Sequence, residues 1–486
     1  MTARTLMPRR LALALGSAAL LVGCASVAPE QAIAPVQTAV QRHAGQALMA
    51  WPDASAPSDA ARARIDQLLA APLSIGGATE LALLNHRGLQ AALAELGIAQ
   101  AEAVQAARWP NPGFTLSRTR SGTQVEWERG LHFGHRRLLL MPLARSLEDE
   151  RLARAQTRTA LQVLEQLSAT RRAWVEAVAA QEALRYQRQV AEAAQAGAEL
   201  AARMRAAGNF NRLAQAREQA FEADAALQLA RAERHATATR ERLLRALGLW
   251  GDQAGDGPGG LRLPERLPDL PATPAAPFDR PDLEAVALAQ RLDVQLARED
   301  TERAERLLGL TRGSRFVTAL EVGGTRSSNS EGERSRGWEV GLELPIFDPG
   351  DARIARAEQT LAAARHRRAE VAINARSELR EAWSQYRHAG DIARHLQTEV
   401  LPLAQRVSAE NLLRYNGMLI GVFELLADAR AQIGAVQAAL DARREFWLAD
   451  ADLQMALLGR PALAAPGAAG APTSSPSAAA PTGGGH

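Results

Sequence analysis

The sequence has no lysine, so all 57 of its Lys/Arg positions are arginine, and it has one cysteine in 486 residues. A single cysteine excludes a disulfide framework and a cysteine-based zinc site. Aromatic residues are scarce at 4%, whereas 47% of the chain is hydrophobic, so a large core is available but must be built from aliphatic side chains. Excess charge of one sign is also missing. Arg4, Arg9 and Arg10 lie in the first 23 residues beside no acid, so without that segment 54 basic side chains face 54 acidic ones. A neutral chain is a poor polyanion binder, which removes nucleic acid as a default partner. The 24 prolines and 37 glycines are too few for collagen, and 23% charge does not suggest global disorder.

Chemistry-bearing motifs are missing as well. Gly255-Asp-Gly-Pro-Gly-Gly260 formally fits G-x-G-x-x-G, but it follows no strand and opens no helix, as a dinucleotide site requires. The histidine pairs His132 with His135 and His388 with His395 belong to no H-E-x-x-H, and no histidine and carboxylate cluster has ligand spacing. Neither a nucleophile elbow nor a phosphate-cradling loop occurs. The sequence therefore points to no enzyme, no cofactor and no metal site.

What is present begins with an export signal. Met1 to Arg10 is basic, Leu11 to Val22 is an apolar run, and Gly23-Cys24 follows. The run is shorter than the ~20 residues a spanning helix needs, so it reads as a signal peptide over residues 1–23. Leu21-Val22-Gly23-Cys24 resembles a bacterial lipobox. That resemblance implies cleavage before Cys24, a diacylglycerol on its thiol and acylation of the new amino terminus. With Ala25 in place of a retention aspartate, the expected address is the outer membrane. Acyl chains at ~0.8 kcal/mol per buried CH₂ would hold the chain there.

The remainder is mostly helical and is written twice. Residues 24–78 form an N-terminal lipidated segment with a short amphipathic stretch at Ser58 to Ala71. A first repeat, 79–249, runs as a helix from a Thr79 cap to Trp109, a strand pair over Gly113 to Phe133, a long helix over Leu143 to Ala207, a break at Gly208-Asn209, and a helix over Arg212 to Leu247. A Gly/Pro-rich linker covers 250–281. The second repeat, 282–459, has the same order: helix to Thr311, strand pair over Ser314 to Phe347, long helix over Asp351 to Asn416, break at Gly417, final helix. The tail 460–486 has almost nothing to bury and reads as disordered. Landmarks recur at offsets of 205 (Leu81 with Val286), 209 (Gly208 with Gly417) and 211 (Gly248 with Gly459). One large unit is thus duplicated.

Length carries a geometric argument. At ~1.5 Å per residue the long helix spans roughly 100 Å. Only both shorter helices stacked end to end match it, and Pro402 is expected to kink or overwind the second long helix.

The strands alternate strictly. Val125, Trp127, Leu131 and Phe133 oppose Gln124, Glu126, Glu128 and His132, with Arg129 an exception on the apolar side. Trp338, Val340, Leu342, Leu344 and Ile346 oppose Glu339, Gly341 and Glu343. Such alternation suits strands between lipid and water, and equally a soluble sheet on a helix. Open edges in lipid leave costly unpaired backbone groups, and four strands are too few for a barrel, which takes ~8 or more. Copies must therefore combine; a dimer supplies 8 strands and a trimer 12. The expected fold class is mainly α with a small β part. Tandem-duplicated helical hairpins would form an α-barrel, and four strands per chain a trimeric 12-stranded β-barrel.

The duplicated unit, Trp338-Glu-Val-Gly-Leu-Glu-Leu-Pro-Ile-Phe-Asp348 leading into a long helix, Leu401-Pro402-Leu403-Ala404, and Arg414-Tyr-Asn-Gly417 with Leu425-Leu426 together resemble the TolC family of outer-membrane efflux factors over Thr79 to Gly459. The first strand pair departs from the pattern, with a very short loop at Arg118 to Gly122. The resemblance implies a homotrimer that is a passive channel, joined to an inner-membrane pump through a periplasmic adaptor, exporting drugs or metal ions. It places adaptor docking at the turns Gly208-Asn209 and Gly417-Met418. Glu424 and Asp428, four apart on one helix face, would form acidic rings at the closed end and exchange partners with Arg414 on opening. The alternative is a periplasmic coiled-coil lipoprotein acting as adaptor or spacer. Two hairpins with few strands, against an adaptor's one hairpin with several β domains, argue against it.

Overall fold

The computed structural model describes residues 29–45, 57–108, 113–122, 124–133, 135–255, 259–271, 283–315, 320–329, 331–342 and 347–461, with positions 111 and 257. Cys24 and the export signal, linker positions 272–282 and the tail beyond Pro461 lie outside the described residues.

The first unit centres on α5 (His135–Ala206), a single helix of 72 residues and therefore ~108 Å long. It starts before Pro142 rather than after it. One proline did not outweigh the helix-forming residues on both sides. Immediately before the sheet come α2 (Asp59–Leu69), α3 (Ile75–Asn85) and α4 (Arg87–Ala107). The expected single helix is thus two, interrupted at His86, whose ψ of 112° is extended. The cap is also not Thr79. The Ser74 hydroxyl accepts from the Gly77 N–H at 3.1 Å, and Thr79 lies inside the helix, donating to the Gly76 carbonyl at 2.8 Å. After α5 the chain turns into α6 (Arg212–Leu247).

Helices α4 and α6 both pack along α5, and their ends meet. At the junction the Asn85 amide donates to the Leu247 and Gly248 carbonyls at 3.3 and 2.8 Å. Gly248 has φ +71°, and a Cβ there would lie 2.9 Å from the Asn85 carbonyl oxygen, so glycine is required twice over. The core beside this junction contains Leu69, Leu81, Leu243, Leu247 and Trp174, whose indole N–H donates to the Leu73 carbonyl at 2.8 Å.

The second unit repeats the plan with α7 (Leu283–Gln290), α8 (Leu292–Gly313), α9 (Asp351–His395), α10 (Leu401–Asn416) and α11 (Val422–Ala456). Arg291 interrupts the first pair with ψ 125°, and it stands 205 residues after His86. Its junction is closed by the Leu292 N–H donating to the Leu458 carbonyl at 2.9 Å. Between α9 and α10 lies one π-helical turn, Leu396–Val400. Pro402 therefore acts as expected in place but not in sense. The helix is unwound rather than overwound, which carries the proline ring past the carbonyl it would strike.

An unexpected helix, α1 (Pro29–Ala44), buries Ala32, Ile33, Val36 and Val40 against α5 and α4. Pro35 inside it hid its periodicity. The strands β1 (Gly113–Ser121), β2 (Gln124–Phe133), β3 (Leu320–Asn329) and β4 (Arg334–Leu342) form one antiparallel sheet in the order β1-β2-β3-β4, so the two repeats share it through β2 and β3. Helix α8 runs through Gly313, positions 316–319 lie outside the described residues, and β3 is described from Leu320.

Candidate functional site

Both ends of the helical column carry features that bear on function. At the end far from the sheet, each long helix closes with the same pair of bonds. Gly208 N–H donates to Arg205 and Asn209 N–H to Met204; Met418 N–H donates to Tyr415 and Leu419 N–H to Arg414. This pattern is a Schellman turn. Its left-handed residues are Gly208 at φ +80° and Met418 at φ +61°. The structural counterpart of Gly208 is thus Met418, at an offset of 210, and Gly417, at φ −79°, belongs to the preceding turn of helix. The asparagine at 211 caps α6 through its side chain, accepting from the Ala214 N–H at 2.7 Å. Gly421 opens α11 with no side-chain cap.

The second turn is apolar and open to solvent. Met418 is 93% exposed, Leu419 78% and Leu413 67%. Arg414 lies in the same turn, but its guanidinium rests 3.4 Å from Glu410 on its own helix. Glu424 is exposed in the first turn of α11, and Asp428 is half-buried with one carboxylate oxygen, Oδ2, that takes no hydrogen bond among the described residues. The structure places the three residues at one end of the column and does not join Arg414 to either acid. Close by, sequence reasoning missed a cross-repeat contact: Arg430 on α11 meets the buried Glu218 on α6 at 2.8 Å and stacks over Phe221 at 4.6 Å.

Midway along, another buried cluster of contacts was not foreseen. Arg291 is 1% exposed and binds Asp293 at 2.6 Å, Glu378 at 2.7 Å and the Ala456 carbonyl at 3.0 Å. On α11, burial pushes Asp450 up to about 6, opposed by Arg171 and by a hydrogen bond from Gln454 at 2.7 Å. Among the described residues no group of three or more His, Cys, Asp or Glu could hold a metal ion.

At the opposite end stands the sheet. Phe114 is 66% exposed, and Trp338 80%; Leu116, Trp127 and Val340 on the same face are also exposed. No helix covers this face of described residues. The other face carries Thr115, Ser117, Glu126 and Glu128. β1 and β4 each have one edge without a strand partner among the described residues. No described helix is long and apolar enough to cross a membrane, which says nothing of the sheet.

A duplicated helical column of ~100 Å, sharing one open amphipathic sheet, is the fold of the TolC-type outer-membrane channels, and the resemblance read from the sequence holds at the level of fold. No family model matches the sequence. CzcC, a cobalt-zinc-cadmium resistance protein of Cupriavidus metallidurans, is 26% identical over 288 residues, 57% of this chain and 64% of the relative, so the match spans less than two thirds of CzcC. Among solved structures, VceC, an outer membrane protein of Vibrio cholerae, superposes with a TM-score of 0.65 at 16% identity, over 79% of this chain and 96% of VceC. The open state of MtrE, an outer membrane channel of Neisseria gonorrhoeae, gives 0.63 at 18% identity, over 82% and 89%.

Proposed function

We propose that the chain is the outer-membrane channel of a tripartite efflux system: three copies join their sheets into a 12-stranded barrel and their helical columns into a duct across the periplasm. The observation that carries this is the open sheet, whose apolar face is bare and whose two edges have no strand partner among the described residues, mounted on a column ~100 Å long. Open edges in lipid cost several kcal/mol per unpaired group, so closure by further copies is the economical solution. A lipid anchor at Cys24 holds each copy at the membrane. Docking of a periplasmic adaptor, itself joined to an inner-membrane pump, falls at the turns of Gly208-Asn209 and Gly417-Met418; the exposed Leu413, Met418 and Leu419 supply an apolar surface for helical partners. Arg414, Glu424 and Asp428 form the periplasmic constriction, with the bond from Arg414 to Glu410 as the resting state. For cargo we favour divalent metal cations, supported by the likeness to CzcC and by Glu126 and Glu128 on the water-facing side of β2.

The test is reconstitution of the purified, lipidated protein in planar bilayers together with its mass in detergent. A conducting trimer is expected. A monomer without conductance would favour the periplasmic spacer instead.

A further inference from the structure

The register of the sheet exposes a segregation of charge that the linear sequence hides. Arg129 pairs with Leu116 on β1 and with Arg326 on β3, and Arg326 pairs with Arg336 on β4. Directly opposed residues of antiparallel strands share a face, so these three arginines form one row, on the face of Phe114 and Trp338. The next row toward the hairpin turns contains Arg118, Trp127, Ser328 and Arg334; Arg120 opposes Val125 beyond it. All six arginines are exposed. The same face carries no acidic residue in the described strands, and both described glutamate side chains of the sheet, Glu126 and Glu128, point the other way.

Three guanidiniums side by side on neighbouring strands repel one another, which costs stability unless an anion lies across them. Among the described residues Arg129, Arg326, Arg334 and Arg336 make no ion pair, and Arg118 makes only a cation–π contact with Trp127, 5.3 Å from the ring centre. The acids of the β3–β4 turn, Glu331 and Glu333, the latter next to Arg334, are already partnered.

The depth of these rows identifies the partner. Helices adjoin the sheet at the Gly113 and Phe133 end, so the hairpin turns point away from the column. Rows two residues apart are ~7 Å along a strand, which a tilt of ~45° reduces to ~5 Å of depth. Counting from the helices, Val340 and Trp338 stand in the last apolar rows, and the arginine rows occupy the next ~10 Å, beginning one step beyond Trp338. An interfacial tryptophan followed by cations is the order expected where hydrocarbon gives way to headgroups, a zone ~5–8 Å deep on each side. Guanidinium matches phosphate in a bidentate way.

We infer that this belt binds the phosphate groups of anionic lipid in the outer leaflet, one lipid surface spanning Arg129, Arg326 and Arg336 with Arg118 and Arg334 above it. The inference rests on the channel reading, since the face meets lipid only if the barrel closes. The test compares the full-length protein with a variant carrying R129Q, R326Q, R334Q and R336Q, and with the helix control R367Q/R368Q. Each is reconstituted in nanodiscs of phosphatidylcholine with phosphorylated outer-leaflet glycolipid, the same glycolipid stripped of phosphate, or none, and lipid retained on detergent extraction is counted by native mass spectrometry. Each guanidinium–phosphate contact contributes about a factor of ten, so retention of the phosphorylated lipid should fall by about 100-fold or more in the belt variant and be unchanged in the control. Equal retention by variant and parent, or equal retention of stripped lipid by the parent, overturns the belt. Competition to the same extent by inorganic phosphate would assign the rows to a free anion and also overturn it. Because the trimer's mass is read in the same spectra and conductance in planar bilayers from the same preparations, a variant that is a conducting trimer yet keeps its lipid sinks only the belt, whereas a parent that never forms a trimer sinks the channel. The parent's arms with intact and stripped lipid hold even if the variant does not fold.

Discussion

Arg291 is the residue on which the middle of the second unit closes. Its guanidinium is sealed from water and reaches Asp293, Glu378 and the Ala456 carbonyl from three different segments. Removing it leaves Asp293 with only the Val294 N–H at 2.8 Å and Glu378 with only Arg460 at 3.5 Å in a poorly hydrated site, so R291A should destabilise the fold by ~3 kcal/mol, whereas an isosteric apolar replacement of the whole cluster would cost far less. Chemical denaturation in detergent reads the difference. Asp450 carries a pH signature. Its folded carboxyl titrates near 6 instead of 3.8, so the fold holds the proton more tightly than the unfolded chain. Stability is therefore highest below pH 4 as far as this group is concerned, and declines as pH rises through 6. The loss is ~1–3 kcal/mol, and D450N should abolish that slope, giving a melting temperature that converges with the parent's at low pH and exceeds it at pH 7. Met418 presents the reverse case. A bulky side chain at φ +61° is strained by ~1 kcal/mol, yet nearly all of it faces solvent. M418G should leave stability equal or up to ~1 kcal/mol higher, while weakening adaptor capture in a pull-down. Unimpaired capture would remove Met418 from the docking surface.

Among the elements, the end-to-end stacking of short helices on a long one depends on a few atoms. A methyl group at Gly248 strikes the Asn85 carbonyl and forces a left-handed residue to carry a Cβ. G248A should cost ~2 kcal/mol or more and N85A ~1–3, through carbonyls that lose their donor. The damage should show as faster amide exchange near His86 with the far turns unaffected. The long helices, the strand pairs and the duplication were legible because they rest on periodicity over many residues. The breaks at His86 and Arg291 were not, because neither residue is a helix breaker and the interruption is imposed by tertiary contacts at the junction. Helix α1 was lost behind Pro35, and the true equivalence of Gly208 with Met418 rather than Gly417 emerges only from hydrogen bonds. In the sheet, Arg129 looked like a lone exception to an apolar stripe. Pairing β2 with β3 across the two repeats turns it into one member of a row, and no reading of one strand at a time contains that information.

For the molecule as a whole, the decisive feature is that the helical column carries a sheet whose two edges are unpaired among the described residues. Along an edge strand, amide groups point alternately toward the paired neighbour and toward open space. Proline removes one amide donor at a time and is tolerated where that donor faces nothing. Single prolines placed along Arg334–Leu342 should therefore fall into two alternating classes. One class breaks the β3–β4 ladder and lowers expression or stability of the folded chain. The other leaves the isolated chain intact and blocks closure onto the next copy, giving soluble or detergent-bound monomers with no conductance. If the second class behaved like the parent in mass and conductance, the outward amides of β4 would have no partner in the assembled protein. The sheet would then close by some means other than edge pairing between copies.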